Sequence, residues 1–246
     1  MSDLNKRVAL VTGGSRGIGA AIAKRLAADG ANVAFTYAKD SSAASAVVKA
    51  IELAGGKAVA IQADAANVEA VRGAVEKAVA TFGRLDVLVN SAGTAIPKSF
   101  EETTLEEMDR VIDINLRGVL ATTQAALKHM NDGGRIIMIG SAVGERAVAP
   151  GLVPYAAKKG AVKMFTQALS REVGSRGITV NNIQPGPIDT DTNPATGDWA
   201  VPQKAFTALD RYGHVDEVAA LVAFVAGPES SYITGANLSV DGGMIA

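Results

Sequence analysis

The stretch VALVTGGSRGIGAAIAKRLAADGANVAFTY, residues 8–37, constrains the fold of this chain more than any other segment. It reads as a strand, a glycine turn, a helix and a second strand. Gly13, Gly17 and Gly19 lie in the turn with the spacing Gly-x-x-x-Gly-x-Gly. Glycines there allow a tight turn, close approach of the backbone to a pyrophosphate and close helix packing, with the helix N-terminus facing the phosphates. The segment therefore predicts a dinucleotide-binding βαβ unit.

Short β-branched runs alternate with helical patterns along the rest of the chain. Several runs are apolar almost throughout, which is typical of parallel strands that are covered on both faces. Helices are expected from about Ile18 to Asp29 and from starts near Ser41, Asn67, Leu105, Tyr155 and Asp216. The pattern predicts one doubly wound, Rossmann-like α/β domain over residues 1–246, with a parallel sheet between helices. The expected strands are RVALVT, ANVAFTY, KAVAIQ, LDVLVN, RIIMIG, GITVNNI and NLSVDG.

Composition excludes several classes of function. The 24 basic and 25 acidic residues nearly cancel, so no general attraction to nucleic acid or to an anionic membrane is expected. The absence of cysteine excludes disulfides and thiolate chemistry. The two histidines, His129 and His214, lack metal-ligand spacing and are interpreted as surface or capping residues, so no metal is expected. Without a signal peptide or an apolar stretch of spanning length, the expected location is the cytoplasm.

The alternation breaks after the sixth expected strand, in PGPIDTDTNPATGDWAVPQKAFTALDRYG. A long connection at the carboxyl end of a strand is where an open α/β sheet builds a ligand site or a lid. We therefore expect a substrate loop at about residues 187–213. The acidic run FEETTLEEMDR, by contrast, is interpreted as a capped helix start with a solvated face rather than a pair of catalytic carboxylates.

The end of the second strand indicates which nicotinamide cofactor is bound. A site for NAD has an Asp or Glu there for the ribose 2′-hydroxyl, but this strand ends Thr36-Tyr37-Ala38-Lys39. Arg16, inside the glycine turn, can bind a 2′-phosphate with two of its guanidinium nitrogens, and Lys39 can assist. The sequence therefore favours NADP(H). Two alternatives stay open: Arg16 as a solvated loop charge, and Asp40 as a ribose ligand.

Tyr155 and Lys159 lie four residues apart, on one face of an expected helix. A phenol has a pKa near 10, and lowering it to about 7 takes roughly 4 kcal/mol. One positive charge at about 4 Å supplies roughly that amount at an effective dielectric constant of 20. Lys159 is therefore expected to lower the pKa of Tyr155. Lys158 is one residue away from this spacing, is expected to point away, and is given no role.

The glycine turn, NSAG at 90–93, Ser141 after a strand and Tyr155-x-x-x-Lys159 occur in a fixed order. Together they resemble the short-chain dehydrogenase/reductase family over essentially the whole chain, in particular NADP(H)-dependent carbonyl reductases of the 3-oxoacyl-ACP reductase type. The resemblance implies a seven-stranded parallel sheet and a homotetramer. It implies that Tyr155 is the general acid/base, that Ser141 binds the substrate oxygen, that Lys159 also binds the nicotinamide ribose and that Asn115 holds a water in a proton relay.

The resemblance also implies a set of cofactor contacts, with Asp64 against the adenine and residues 185–190 against the carboxamide of the nicotinamide. Simpler roles stay open for some members: Asp64 as a helix cap, Asn90 as a bond across strands, Ser141 as a strand-end cap and Asn115 as a structural hydrogen-bonding residue. The expected cofactor-binding residues are Gly13, Ser15, Arg16, Gly17, Ile18, Gly19, Tyr37, Ala38, Lys39, Asp64, Ala65, Asn90, Ala92, Gly93, Tyr155, Lys159, Pro185, Gly186, Ile188 and Thr190.

Two kinds of function are compatible with this sequence. One is an oxidoreductase that transfers hydride between NADP(H) and a ketone or secondary alcohol. The other is a nucleotide-binding regulatory protein on the same fold. The set Asn115, Ser141, Tyr155 and Lys159 favours the enzyme, because a protein that only binds needs no such combination. The identity of the carbonyl substrate stays open.

Overall fold

The computed structural model describes residues 3–246, which form a seven-stranded parallel sheet in the order β3-β2-β1-β4-β5-β6-β7. This is the predicted doubly wound architecture. The strand order reverses between β1 and β4, and ligand sites of such sheets lie outside the carboxyl ends of the strands at that point. The strands are β1 (Val8–Val11), β2 (Asn32–Tyr37), β3 (Lys57–Gln62), β4 (Leu85–Asn90), β5 (Met130–Ile139), β6 (Thr179–Pro185) and β7 (Asn237–Val240).

Helices cover both faces of the sheet. They are α1 (Gly17–Ala28), α2 (Ser41–Leu53), α3 (Val68–Phe82), α4 (Leu105–Ile112), α5 (Gly118–Leu127), α6 (Val153–Val173), α7 (Ala200–Ala205) and α8 (Val215–Ala226). Alternate residues of each strand face opposite layers. Ala9 and Val11 of β1 pack with α1, α2 and α8, whereas Leu10 packs with α3, α5 and α6. Each large apolar side chain buried in this way contributes about 1.5–3 kcal/mol.

Side-chain caps fix several helix starts. Thr104 and Glu107 form a reciprocal capping box at the start of α4, which confirms the interpretation of the acidic run as a capped helix start. His214 caps α8 in the same way, with Glu217 as its partner. His129 contacts Glu76 at the protein surface. Among residues 3–246, no group of three or more His, Cys, Asp or Glu side chains is arranged to hold a metal ion.

The segment after Leu105 differs from the single helix that the apolar spacing predicts. The backbone passes from α4 through a π-helical turn, Asp113–Arg117, into α5. Such turns insert one residue into an α-helix and are frequent at functional sites. Asn115 lies in this turn and is buried. The expected substrate loop contains a short helix, α7, that the sequence pattern did not predict. Within residues 3–246, no helix combines the length and the hydropathy needed to span a bilayer.

Candidate active site

The glycine turn closes tightly on the end of β2. The amide of Gly13 donates to the hydroxyl of Thr36 at 3.0 Å, and the amide of Gly14 donates to the Thr36 carbonyl at 2.8 Å. A Cβ on Gly19 would lie 2.2 Å from the carbonyl oxygen of Gly13, so α1 packs directly against the turn. Only glycine permits this approach, which is the close helix packing that the sequence predicts.

The first turn of α1 leaves its backbone donors open. Arg16 is the N-cap residue, yet its side chain makes no capping bond, and the first turn carries no acidic residue. Unpaired amides at a helix start, reinforced by the helix dipole, bind anionic groups. With the turn held by Thr36, this geometry fits the pyrophosphate of a dinucleotide.

The residues expected near a 2′-phosphate lie together beside this turn. Arg16 and Lys39 are exposed, and neither forms an ion pair with a residue that the structure describes. Tyr37, at the end of β2, is partly buried, and Ala38 beside it is exposed. Asp40 caps α2, accepting a hydrogen bond from the amide of Ala43 at 2.9 Å. The carboxylate of Asp40 is therefore occupied in the helix cap. This favours a site in which Arg16 binds a 2′-phosphate over one in which Asp40 binds the ribose 2′-hydroxyl.

The loop after β4 is held against the glycine turn by a residue that the sequence analysis missed. The hydroxyl of Thr12 accepts hydrogen bonds from the amides of Ser91 at 2.9 Å and Ala92 at 3.0 Å. The side chain of Asn90, in contrast, is buried and donates to Thr123 on α5 at 3.0 Å. Asn90 also donates to the sulfur of Met138 on the neighbouring strand β5 at 3.3 Å, which is the bond across strands that was left open for it.

Asp64 follows β3 and lies at the adenosine side of the groove. Its carboxylate accepts from the amide of Ala66 and from the guanidinium of Arg110 on α4. Both hydrogen bonds lower the pKa of Asp64, and the one from the Ala66 backbone has the larger effect. The helix that follows is capped by Asn67 instead, so the alternative of a helix cap does not apply to Asp64. Ala65, next to it, packs under Gly118 at the start of α5.

The segment after β6 meets the glycine turn from the other side. Pro185 ends β6, the amide of Gly186 donates to Val240 at 3.2 Å, and Ile188 is buried. A Cβ on Gly17 would lie 3.5 Å from the Thr190 methyl group. Residues 185–190 therefore border the same groove as the glycine turn. The expected substrate loop continues from there, with Trp199 two-thirds exposed.

Ser141 and Tyr155 are brought together by the close packing of the segment after β5 on α6. Pro154 lies in the first turn of α6, where its missing amide costs no hydrogen bond, and Tyr155 follows it. A Cβ on Gly144 would lie 2.9 Å from the backbone of Lys159, so only glycine lets this segment approach the helix. Ser141 is buried, and its hydroxyl also accepts from the amide of Val143 at 3.2 Å.

The pKa of Tyr155 differs from the expectation. Burial raises the pKa of its phenol, and the hydrogen bond with Ser141 opposes this only in part. The predicted net lowering of the Tyr155 pKa is therefore wrong, because burial outweighs the stabilisation of the phenolate that a charged Lys159 can provide. The Lys159 amino group lies 5.7 Å from the centre of the Tyr155 ring and donates to the carbonyl of Ile139 at 2.6 Å. Burial also lowers the pKa of Lys159 to about 8.

Lys158 overturns a second expectation, because it points into the protein. Only 3% of the residue is exposed, its amino group lies 4.2 Å from the centre of the Tyr155 ring, and it donates to the Thr94 carbonyl at 2.5 Å. The pKa of Lys158 is lowered to about 6, mainly by burial and to a smaller extent by repulsion from the charge of Lys159. Spacing along the helix could not show this, because the loop that receives Lys158 is distant in sequence.

Asn115 is bonded to the same loop. Its amide oxygen accepts from the Thr94 amide at 3.0 Å, and its amide nitrogen donates to the Thr94 carbonyl at 3.1 Å and to Val111 at 2.8 Å. A Cβ on Gly93 would lie 3.0 Å from the Asn115 oxygen. The side chain of Asn115 thus has the structural role that was left open, and its position ties α4 to the loop after β4.

The arrangement brings a hydroxyl, a phenol and two amines together beside an open groove. Ser141, Tyr155 and Lys159 meet at the carboxyl ends of β4 and β5, next to the glycine turn and residues 185–190. A phenol whose pKa is raised keeps its proton at neutral pH and can donate it. The neighbouring Ser141 hydroxyl can bind the oxygen that receives this proton. The site is therefore equipped to protonate an oxygen atom.

Comparisons with known proteins identify similar chains over almost the whole length of this one. Residues 13–245 match the family model described as Enoyl-(Acyl carrier protein) reductase. A short-chain dehydrogenase from Burkholderia cenocepacia J2315 in complex with NADP is 51% identical and superposes with a TM-score of 0.98, covering 99% of this chain and 100% of that one.

Two curated relatives extend over the whole chain. A 3-oxoacyl-[acyl-carrier-protein] reductase of Synechocystis sp. PCC 6803 is 44% identical over 100% of this chain and 99% of its own. A cyclic-di-GMP-binding biofilm dispersal mediator protein of Escherichia coli K12 is 41% identical over 98% of both.

Proposed function

Because this chain belongs to the short-chain dehydrogenase/reductase family, we propose that it is an NADP(H)-dependent carbonyl reductase. Its reaction transfers a hydride between NADP(H) and a ketone or secondary alcohol. The observation that carries the proposal is the placement of Ser141, Tyr155 and Lys159 side by side, next to a groove that fits a dinucleotide. The NADP complex of the similar Burkholderia protein supports the choice of cofactor.

The residues of the chain then have distinct tasks in reduction. NADPH, when bound, supplies the hydride that adds to the carbonyl carbon. The Ser141 hydroxyl donates a hydrogen bond to the carbonyl oxygen and holds it next to Tyr155. The phenol of Tyr155 gives its proton to that oxygen, so that the product is a neutral alcohol. Because burial raises the pKa of Tyr155, the phenol is protonated at neutral pH, as a general acid must be.

Lys159 supports Tyr155 from one helical turn away. Its ammonium stabilises the phenolate that remains after the proton has left, because opposite charges attract strongly in a site of low dielectric constant. Asn115 holds the Thr94 backbone and with it the loop that borders the cofactor groove. We further assign the cofactor contacts to the glycine turn, residues 37–39, Asp64 and Ala65, residues 90–93 and residues 185–190. The substrate then enters beneath residues 187–213.

The homotetramer also stays a proposal, and it rests mainly on the resemblance to the family. Val111, Val119 and Leu169, at helical spacing on α4, α5 and α6, are buried within the subunit. Other apolar side chains of α4, α5 and α6 are exposed instead, namely Leu105, Ile112, Leu120 and Met164. These are the residues that a tetramer would cover. Light scattering that gives the mass of a monomer would contradict the proposal. A cytoplasmic location stays a prediction from the sequence.

The deciding experiment is Tyr155→Phe, which keeps the ring and removes the proton. We expect the variant to lose nearly all NADPH oxidation with a panel of ketones and β-keto esters, while its NADPH dissociation constant changes little. General acid catalysis typically contributes 10²–10⁴-fold, so a loss of roughly that size is expected. A variant that keeps most of the wild-type kcat would show that Tyr155 is not the acid.

The alternative is a nucleotide-binding regulatory protein, and the name of the E. coli relative keeps it open. The same panel separates the two functions, because a protein that only binds nucleotides turns over none of the carbonyl compounds. Titration with cyclic-di-GMP in the presence and absence of NADPH provides the complementary measurement. Binding of cyclic-di-GMP without any turnover would favour the regulatory protein.

A further inference from the structure

Lys158 is a buried amine to which the proposed reaction gives no task. Its neighbours are Tyr155 and Lys159 on its own helix, the Thr94 carbonyl on the loop after β4, and Asn115, which shares that carbonyl. Within residues 3–246, no Asp or Glu forms an ion pair with it. Burying an amine without a counter-ion costs stability, and an apolar side chain of the same length would avoid that cost.

Deepening the function proposed above, on which this inference rests, we propose that Lys158 is a positioning residue of the active site. Its amino group clamps the Thr94 carbonyl to α6 and supports the face of the Tyr155 ring. The loop that borders the cofactor groove and the phenol that delivers the proton are thereby held in one relative position. Lys158 acts through these two partners and does not itself touch the reacting atoms.

The hydrogen bonds of the loop show how the clamp works. Thr12 holds the near end of the loop at Ser91 and Ala92. At Thr94, Asn115 holds both the amide and the carbonyl, and Lys158 adds a second donor to that carbonyl from the helix of Tyr155. Lys158 therefore links this loop to the catalytic helix itself, next to Tyr155, whereas the amide of Lys98 bonds to Gly151 just before that helix. Without Lys158, the loop keeps its anchors at Thr12, Asn115 and Gly151 but loses the bond that fixes its position relative to Tyr155.

Two quantities that do not depend on turnover test the clamp. The first is the dissociation constant of NADPH, followed by its fluorescence. The second is the pH at which Tyr155 ionises without cofactor, followed by the ultraviolet absorbance of the phenolate. The chain has only four tyrosines, and subtracting the titration of Tyr155→Phe in each background isolates the contribution of Tyr155.

The test variant is Lys158→Met, which keeps the length of the side chain and removes the donor. The control is Lys77→Met, which removes an exposed lysine of α3. We expect the NADPH dissociation constant of Lys158→Met to rise about 3- to 10-fold, as for one lost hydrogen bond. The ionisation of Tyr155 should move down by about one pH unit, because a ring that Lys158 no longer holds in place is less buried, and burial is what raises this pKa. The control should match the wild-type protein in both.

The inference is overturned if either quantity in Lys158→Met equals that of the control. Lys158→Ala is measured in the same way if the methionine variant does not fold, as judged by circular dichroism. Failure of the proposed function itself would appear elsewhere, as wild-type turnover in Tyr155→Phe. The two failures are therefore distinguishable, since neither measurement on Lys158 requires a carbonyl substrate.

Discussion

The amino group of Lys159 donates a hydrogen bond to the carbonyl oxygen of Ile139 at 2.6 Å. Ile139 is the last residue of β5, and Ser141 follows two residues later. The bond therefore joins the strand that carries Ser141 to the helix that carries Tyr155. It also holds Lys159 in a buried place, where desolvation lowers its pKa to about 8.

This pKa predicts how the reduction rate depends on pH. Lys159 is an ammonium below about pH 8 and loses its charge above it, so the stabilisation of the Tyr155 phenolate is lost as the pH rises. We expect kcat/KM for ketone reduction to be flat at neutral pH and to fall above about pH 8. Lys159→Arg should move this fall to higher pH, because a guanidinium stays charged. A profile that is flat to about pH 9.5 would contradict the role of Lys159.

The glycine turn predicts a pair of substitutions with opposite effects. Gly19→Ala forces a Cβ to within 2.2 Å of the Gly13 carbonyl, so the turn and α1 must separate. We expect a loss of about 1–3 kcal/mol of unfolding free energy, together with weaker NADPH binding. Gly73→Ala, in the middle of α3 with open space around its Cβ, should instead stabilise the protein by about 0.5–1 kcal/mol. Equal effects in thermal unfolding would contradict the close packing at Gly19.

Much of the fold and of the candidate site could be predicted because the signals are local. Strands covered on both faces are apolar along their length, and the glycine turn needs specific residues at specific positions. Ser141 and Arg16 could be placed because each follows a strand, and Pro185 because it ends one, since the carboxyl ends of parallel strands meet at one edge.

The rest depends on contacts between distant segments. Thr12 and Thr36 hold the loop and the turn with hydroxyls whose partners lie far along the chain. The π-helical turn at Asn115 leaves the helical apolar pattern almost unchanged, so spacing does not reveal it. Helical spacing predicted that Lys158 points away from the site. Its buried amino group instead has a hydrogen-bond partner, the Thr94 carbonyl, that lies more than sixty positions earlier in the chain.

The buried amine of Lys158 also makes a prediction about stability. Its pKa is about 6 in the folded protein and 10.5 in the unfolded chain, so the unfolded chain binds more protons between these values. The resulting destabilisation is fully present below about pH 6 and disappears as the pH rises towards 10.5. Lys158→Met lacks this cost, so we expect it to be more stable than the wild-type protein by about 1–4 kcal/mol at low pH.

Denaturant unfolding of both proteins across this pH range measures the difference. The advantage of Lys158→Met should shrink steadily with rising pH, since the other titrating groups are the same in both proteins and largely cancel. The prediction would be contradicted if the difference in stability stayed constant with pH, or if Lys158→Met were less stable at every pH. Either result would mean that the amine of Lys158 is charged in the folded protein and that neighbouring groups stabilise this charge. Greater stability with weaker NADPH binding is the combination that separates a positioning residue from a structural one.

The last prediction concerns the choice between NADPH and NADH, which differ only in the 2′-phosphate. Arg16 is exposed at the start of α1, and Asp40 is engaged in the cap of α2, so the available charge near the end of β2 is positive. A hydrogen bond between a guanidinium and a phosphate contributes roughly 1.5–3 kcal/mol, or roughly 10- to 150-fold in affinity. We expect Arg16→Ala to weaken NADPH binding by about that factor and NADH binding much less.

Arg171→Ala, which removes an exposed arginine at the far end of α6, is the control and should change the binding of neither cofactor. The measurement is kcat/KM with both cofactors in the three proteins. If the NADPH to NADH ratio of Arg16→Ala equals that of Arg171→Ala, Arg16 does not bind the phosphate, and Lys39 becomes the residue to test.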